Sequence, residues 1–190
     1  MRAVELLDAF DVGLDEFGRR VHQVADGQWQ DPTPCREWSV RDLVNHLVSE
    51  HLWAPLLLRG VTLAEVGDRF DGDVLGDDPV GAWEEAAEGS YQAFHRPGAL
   101  QGRVHTSMGL LPAEEYARQM TTDLAVHSWD LARGIGVSDR LDEGLVDLVY
   151  DTVLPYADTL SDSGVFAPPV PVPPEAPRQD RLVALLGRQP

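Results

Sequence analysis

Cysteine is nearly absent from this 190-residue chain. Cys35 stands alone, which excludes an intramolecular disulfide framework and fits a reducing compartment. Basic residues are scarce, 15 against 32 acidic ones, for a net charge of −17. Such a surface repels phosphate backbones, so general nucleic-acid binding is not expected. No apolar run approaches the roughly 20 residues needed to span a bilayer; the longest candidate, around Leu52 to Leu58, is far too short. The N-terminus, Met-Arg-Ala-Val-Glu-Leu-Leu-Asp, stays amphipathic and does not read as a secretory signal, so a cytoplasmic protein is expected. A phosphate-cradling glycine loop, a serine nucleophile elbow and a dinucleotide fingerprint are also missing. Gly-Ile-Gly at 134–136 follows no strand and reads as a helix end.

What is present is helical periodicity. Leu6, Leu7, Phe10, Leu14, Phe17, Val21 and Val24 recur at three- and four-residue steps, predicting a helix from Val4 to about Ala25. Residues 26–35 form a loop by their glycine and proline content. Ser39 with Asp42 resembles an acidic capping box opening a second helix to about Arg59, ended by Gly60. Asp78-Pro79 opens a third to about His95. Residues 99–111 alternate weakly and stay undecided between extended and irregular. Pro112 begins a fourth helix, with Glu114 and Glu115 favourable in its first turn, ending at Gly134 or Gly136. A fifth is expected over about Asp142 to Leu160. The proline-rich run from Val165 must be extended, and Asp180 to Leu186 fits a last short helix packed, with the tail, on the domain. The acidic stretch from Glu65 to Glu88, with Arg69 its one basic residue, reads as solvated surface. Together these elements predict one all-α domain over residues 1–190, an antiparallel four-helix bundle with an additional C-terminal helix and a Pro-rich tail.

Within the fourth helix, Asp123 and His127 lie one turn apart on a face shared with Tyr116, Met120, Leu124 and Leu131. His46, near the apolar border of the second helix, can look into the same interior. A carboxylate and two imidazoles aimed inward need partners. One reading is a divalent metal held by His46, Asp123 and His127 with coordination positions left open, a set that suits zinc, nickel, iron or manganese. Asp130, three residues after His127, would then accept a ring N–H. The other reading is an intrahelical hydrogen bond with His46 a satisfied core histidine.

Two segments carry a resemblance. Thr33-Pro-Cys-Arg-Glu-Trp-Ser-Val-Arg-Asp-Leu-Val-Asn-His46 and Asp123-Leu-Ala-Val-His-Ser-Trp-Asp-Leu-Ala-Arg-Gly-Ile-Gly136 resemble the two metal motifs of the mycothiol-dependent maleylpyruvate isomerase N-terminal family. That family belongs to the DinB/YfiT-like superfamily, and the tail from Gln179 resembles a short actinobacterial subgroup. The resemblance implies a four-helix bundle with His46, Asp123 and His127 as ligands and mycothiol as cosubstrate. Aspartate departs from the usual glutamate or histidine by being shorter, and the isomerase's extra C-terminal domain has no counterpart here. The expected function is a metal-dependent mycothiol S-transferase or isomerase acting on a small electrophile. The alternative is a non-catalytic metal-binding or ligand-sensing bundle, with a homodimer as a further expectation.

Other residues read more blandly. His51, about 140° around the helix from His46, is expected on a different surface, and His22, His95 and His105 on surface or loops. Cys35 lacks a local base and reads as a packed cysteine between loop and bundle. Trp29, Trp38, Trp53 and Trp129 read as core, with Trp38 and Trp129 close enough to the motifs to line a pocket. Arg133 is a candidate for an anionic substrate or for an ion pair with a nearby acid.

Overall fold

Each long helix starts and stops where its local chemistry requires. The computed structural model describes residues 3–107, 109–157 and 166–190. Helix α1 spans Ala3–Val21 and α2 spans Val40–Leu57. The expected capping box forms at the start of α2. Asp42 N–H donates to Ser39 Oγ at 3.2 Å, and Ser39 N–H donates to the Asp42 carboxylate at 2.9 Å. A one-turn helix, α3 (Leu63–Val66), carries its own capping box from Thr62 and Glu65. Helix α4 (Pro79–Phe94) is capped by Asp78, which accepts from Gly81 N–H at 3.0 Å. Residues 99–111, undecided from their weak alternation, form a 3-10 turn (Ala99–Gln101) and then a hairpin. In it, β1 (Arg103–Thr106) pairs antiparallel with β2 (Gly109–Pro112). Helix α5 (Ala113–Ile135) ends at Gly136, whose φ of 73° is the left-handed conformation glycine adopts freely.

The fifth predicted helix is interrupted by a 3-10 turn, after which Ala157 is helical again. Helix α6 covers Glu143–Val153 and passes into a 3-10 turn over Leu154–Tyr156, where Pro155 removes a backbone donor. The predicted extension over residues 158–160, and the opening of the tail at Val165, lie outside the described residues. From Phe166 the tail carries no helix or strand until α7 (Arg178–Leu185).

Four helices, α1, α2, α4 and α5, share the larger core, with α1 packed mainly on α5 and α2 mainly on α4. Gly13 permits the close approach of α1 to α5: a Cβ there would stand 3.1 Å from Leu124 Cβ. Helix α5 is the common wall. One side faces this core, and Ala125, Val126 and Trp129 face a second core made with α6 and α7. Leu182, Val183 and Leu186 are fully buried there, and Val170 N–H donates to Ala184 O at 2.9 Å, so the described tail is docked on the domain. No helix among the described residues is long and apolar enough to cross a membrane.

One placement corrects the expectation directly. His51 is not on a surface but fully buried, its ring 6.0 Å from Phe10 and 5.3 Å from Trp83, with Nδ1 2.9 Å from Ser90 Oγ. Helix α4 covers the side of α2 that the wheel leaves free.

Candidate metal centre

Along the middle of α5 every residue from Met120 to Ala132 is buried except Asp123, which is half-buried. Its carboxylate meets both imidazoles. One oxygen lies 3.0 Å from His46 Nε2 and the other 3.4 Å from His127 Nε2. The aspartate, although the shorter acid, therefore reaches both rings. Ligand atoms of His46, Asp123 and His127 all fall within 4.8 Å of one another. The two rings meet edge to face at 5.3 Å, and Trp38 packs on them at 4.7 and 5.6 Å.

The far side of His127 is equally organised. Its Nδ1 lies 3.0 Å from the fully buried Asp130. Arg188, from the end of the tail, donates to the same carboxylate at 2.8 and 3.3 Å and to Leu186 O at 2.8 Å. Proton donation from Nδ1 to Asp130 orients the ring with Nε2 toward Asp123 and His46, where a metal ion would take the place of the Nε2 proton. Burial favours a neutral Asp130, but hydrogen bonds from His127 and Arg188 outweigh it and hold the carboxyl below its ordinary range. Burial likewise opposes ionisation of Asp123, and His127 with His46 overcomes it, keeping Asp123 ionised. For His127, burial is outweighed by Asp123 first and then Asp130, so its proton is held well above the usual imidazole range.

Cys35 belongs to this neighbourhood. Its thiol lies 3.2 Å from Asp130 Oδ2, 3.4 Å from Arg188 Nη2 and 3.9 Å from His127 Nδ1. Thr33 Oγ1 holds the loop that presents it, donating to Cys35 O and Trp38 O at 3.2 and 2.8 Å. Cys35 has no base near it in sequence, but the fold brings His127 and Asp130 to it from 92 and 95 residues away. Cys35, His127 and Asp130 form a second close group of metal-binding types, sharing His127 with the first.

Beside the triad a chamber of about 900 Å³ opens, with His46, Asp123, Glu50, Trp53, Tyr116 and Met120 among its walls. Glu50 follows His46 by one helical turn, a spacing that marks it as sharing His46's face. Burial, then the charge of Asp123, raises its carboxyl above the ordinary range. Tyr116 is raised well above its usual value by burial and the charges of Glu50 and Asp123, and stays protonated. Trp129 is not part of these walls; it lies in the second core beneath Arg133, whose guanidinium is 5.2 Å from the ring and pairs with Asp139 at 3.2 Å. His22 and His95 pair with Glu84 and Asp11 at 3.1 and 3.2 Å, away from the triad.

The donor chemistry fits a divalent cation: two imidazole nitrogens and a carboxylate converge, one imidazole has its outer nitrogen engaged by a buried carboxylate, and one side opens on a chamber. A predominantly helical, DinB-like fold carrying such a cluster defines the class. A family model for the mycothiol maleylpyruvate isomerase N-terminal domain matches residues 10–132, and the chain belongs to that family. Two uncharacterized proteins of Mycobacterium tuberculosis, from strains CDC 1551 / Oshkosh and ATCC 25618 / H37Rv, are each 31% identical over 180 residues, 92% of this chain and 92% of theirs. The crystal structure of the mycothiol-dependent maleylpyruvate isomerase matches 84% of this chain and 73% of its own with a TM-score of 0.62 at 15% identity. A histidine-to-alanine mutant of that enzyme matches 80% and 70% with a TM-score of 0.63 at 14% identity.

Proposed function

We propose that this chain binds a divalent cation through His46, Asp123 and His127, and uses it in a mycothiol-dependent isomerase or S-transferase reaction on a small electrophile. Zinc is the first candidate, with nickel, iron and manganese as alternatives. The family and the shared fold support a mycothiol-dependent, isomerase-like role. The observation that carries the metal is the convergence of the three side chains within 4.8 Å, with the outer nitrogen of His127 engaged by Asp130.

When bound, the cation supplies positive charge that holds a thiol sulfur as thiolate near neutral pH. The remaining work falls to the chain. Asp130, kept ionised by Arg188, orients His127. Trp38 covers the two imidazoles on one side, leaving the chamber as the approach for the electrophile. The thiolate sulfur would form a carbon–sulfur bond with it. Addition to an activated double bond would move its electron pair onto the activating carbonyl as an enolate; in S-transfer the enolate carbon takes up the proton the thiol gave up, and in isomerisation the pair returns and expels the thiolate after rotation about the bond that addition had made single.

The test is metal content and turnover together. Wild type is expected to hold close to one metal per chain by elemental analysis, His127→Ala to lose it, and thiol-dependent turnover to follow metal content. Full metal content in His127→Ala would contradict the site. Metal without thiol-dependent turnover of any electrophile would instead favour the non-catalytic, ligand-sensing reading.

A further inference from the structure

The chamber beside the triad carries charge of one sign. Its apolar walls include Trp53, Met120, Val153 and Phe166, and its charged lining is Glu50, Glu115 and Asp123. Among the described residues no arginine lines it. The chain contains no lysine, all 15 basic residues being arginines. Arg118, on the helix that forms one wall, is held by Glu114 and Glu115. Residues 1, 2, 108 and 158–165 together hold one basic residue, Arg2, against two acids, Asp158 and Asp162. A carboxylate-bearing guest would therefore leave water for a low-dielectric space in which it meets like charge and no arginine, the imidazoles of His46 and His127 being already paired with Asp123.

One wall group lacks a partner. Tyr116 is only 4% exposed, and its hydroxyl is buried with no hydrogen-bond partner among the described residues. Buried hydroxyls are rarely left unpaired, because the lost hydration is not replaced. A guest with an acceptor atom would satisfy it.

We infer that this chamber binds an uncharged or cationic small molecule with an apolar body, an uncharged guest placing an acceptor atom on the Tyr116 hydroxyl, and selects against carboxylate-bearing compounds. This deepens the proposed function by naming its substrate class; it rests on that reading for the metal beside the chamber, but not for the selectivity itself. Maleylpyruvate is a dicarboxylate and falls on the rejected side. The selectivity is a property of the chain itself and is read in the chelator-treated protein, since the open positions of a bound cation would themselves attract a carboxylate.

Three probes sharing one phenylpropyl body test it: phenylpropanol, phenylpropylamine and phenylpropanoate. Binding to the full chain is measured by calorimetry in chelator-treated and zinc-loaded protein. In the chelator-treated protein the alcohol and the ammonium are expected to bind at least about 10-fold more tightly than the carboxylate, and zinc loading is expected to narrow that gap. Tyr116→Phe should weaken the alcohol by about 2- to 10-fold while leaving propylbenzene unchanged. Met120→Trp, which fills the chamber, should abolish all three. Equal or tighter binding of the carboxylate to the chelator-treated protein overturns the inference, as does failure of all three probes to bind or unchanged binding in Met120→Trp. Selectivity retained in a protein that takes up no metal would defeat the metal reading alone. Metal uptake with carboxylate preference would defeat this inference alone.

Discussion

Inside the larger core His51 stays neutral. Burial pushes its imidazole down to about 3, and the proximity of His46 adds to that while Asp123 opposes it. The unfolded chain takes up this proton near pH 6.5; the folded chain refuses it until about pH 3. Stability from this group is thus fully present above pH 6.5 and is lost by ~1.4 kcal/mol per pH unit as pH falls through that window. His51→Gln should flatten the slope of unfolding free energy against pH between 6 and 4 by about that amount, read by denaturant titration; an unchanged slope would contradict the assignment. Arg188 acts on the other side of the triad. Replacing it with Met leaves the buried Asp130 without its cation, and zinc affinity measured against a competing chelator should fall by about 10-fold or more. The sequence makes the Asp123, His127 and Asp130 relation legible, because spacings of four and three on one helix fix it. It could not reveal Arg188, 58 residues from Asp130, nor the burial of His51, which depends on α4 covering the second side of α2.

At the scale of elements, α2 matters most, because its first turn sets the position of His46. The Ser39 cap satisfies an amide that would otherwise be free, and Ser39→Ala should cost about 1 kcal/mol, seen as a lower Tm with metal content retained. Loss of metal with no loss of stability would argue that Ser39 serves the site and not the helix. This cap, the Asp78-Pro79 start of α4 and the Gly136 stop of α5 were all readable, since each depends on neighbours within a few residues. The hairpin was not. Of its strands only Val104 is fully buried, so the alternation of apolar and polar residues was too weak to decide for a strand. Helix α3 escaped because it is a single turn within a stretch read as acidic surface. The end of α6 was overrun because the apolar spacing through Tyr156 continues past Pro155, whereas Tyr156 is 57% exposed.

For the whole molecule, α5 is the organising element: it walls both cores, carries two of the three triad residues and receives the tail through Asp130 and Arg188. The docked tail followed from its apolar residues, and the predominantly helical character followed from periodicity; the chamber did not, because its walls are drawn from α2, α5, α6 and the tail and exist only once these pack. The fold also produces two overlapping donor groups that share His127, and only one is the proposed centre. X-ray absorption at the zinc edge of the loaded protein separates them. The account predicts first-neighbour nitrogen and oxygen scatterers at about 2.0–2.2 Å and no protein sulfur, since Cys35 lies behind His127. A sulfur scatterer at about 2.3 Å in the absence of added thiol would assign the metal to Cys35, His127 and Asp130 and contradict the central claim.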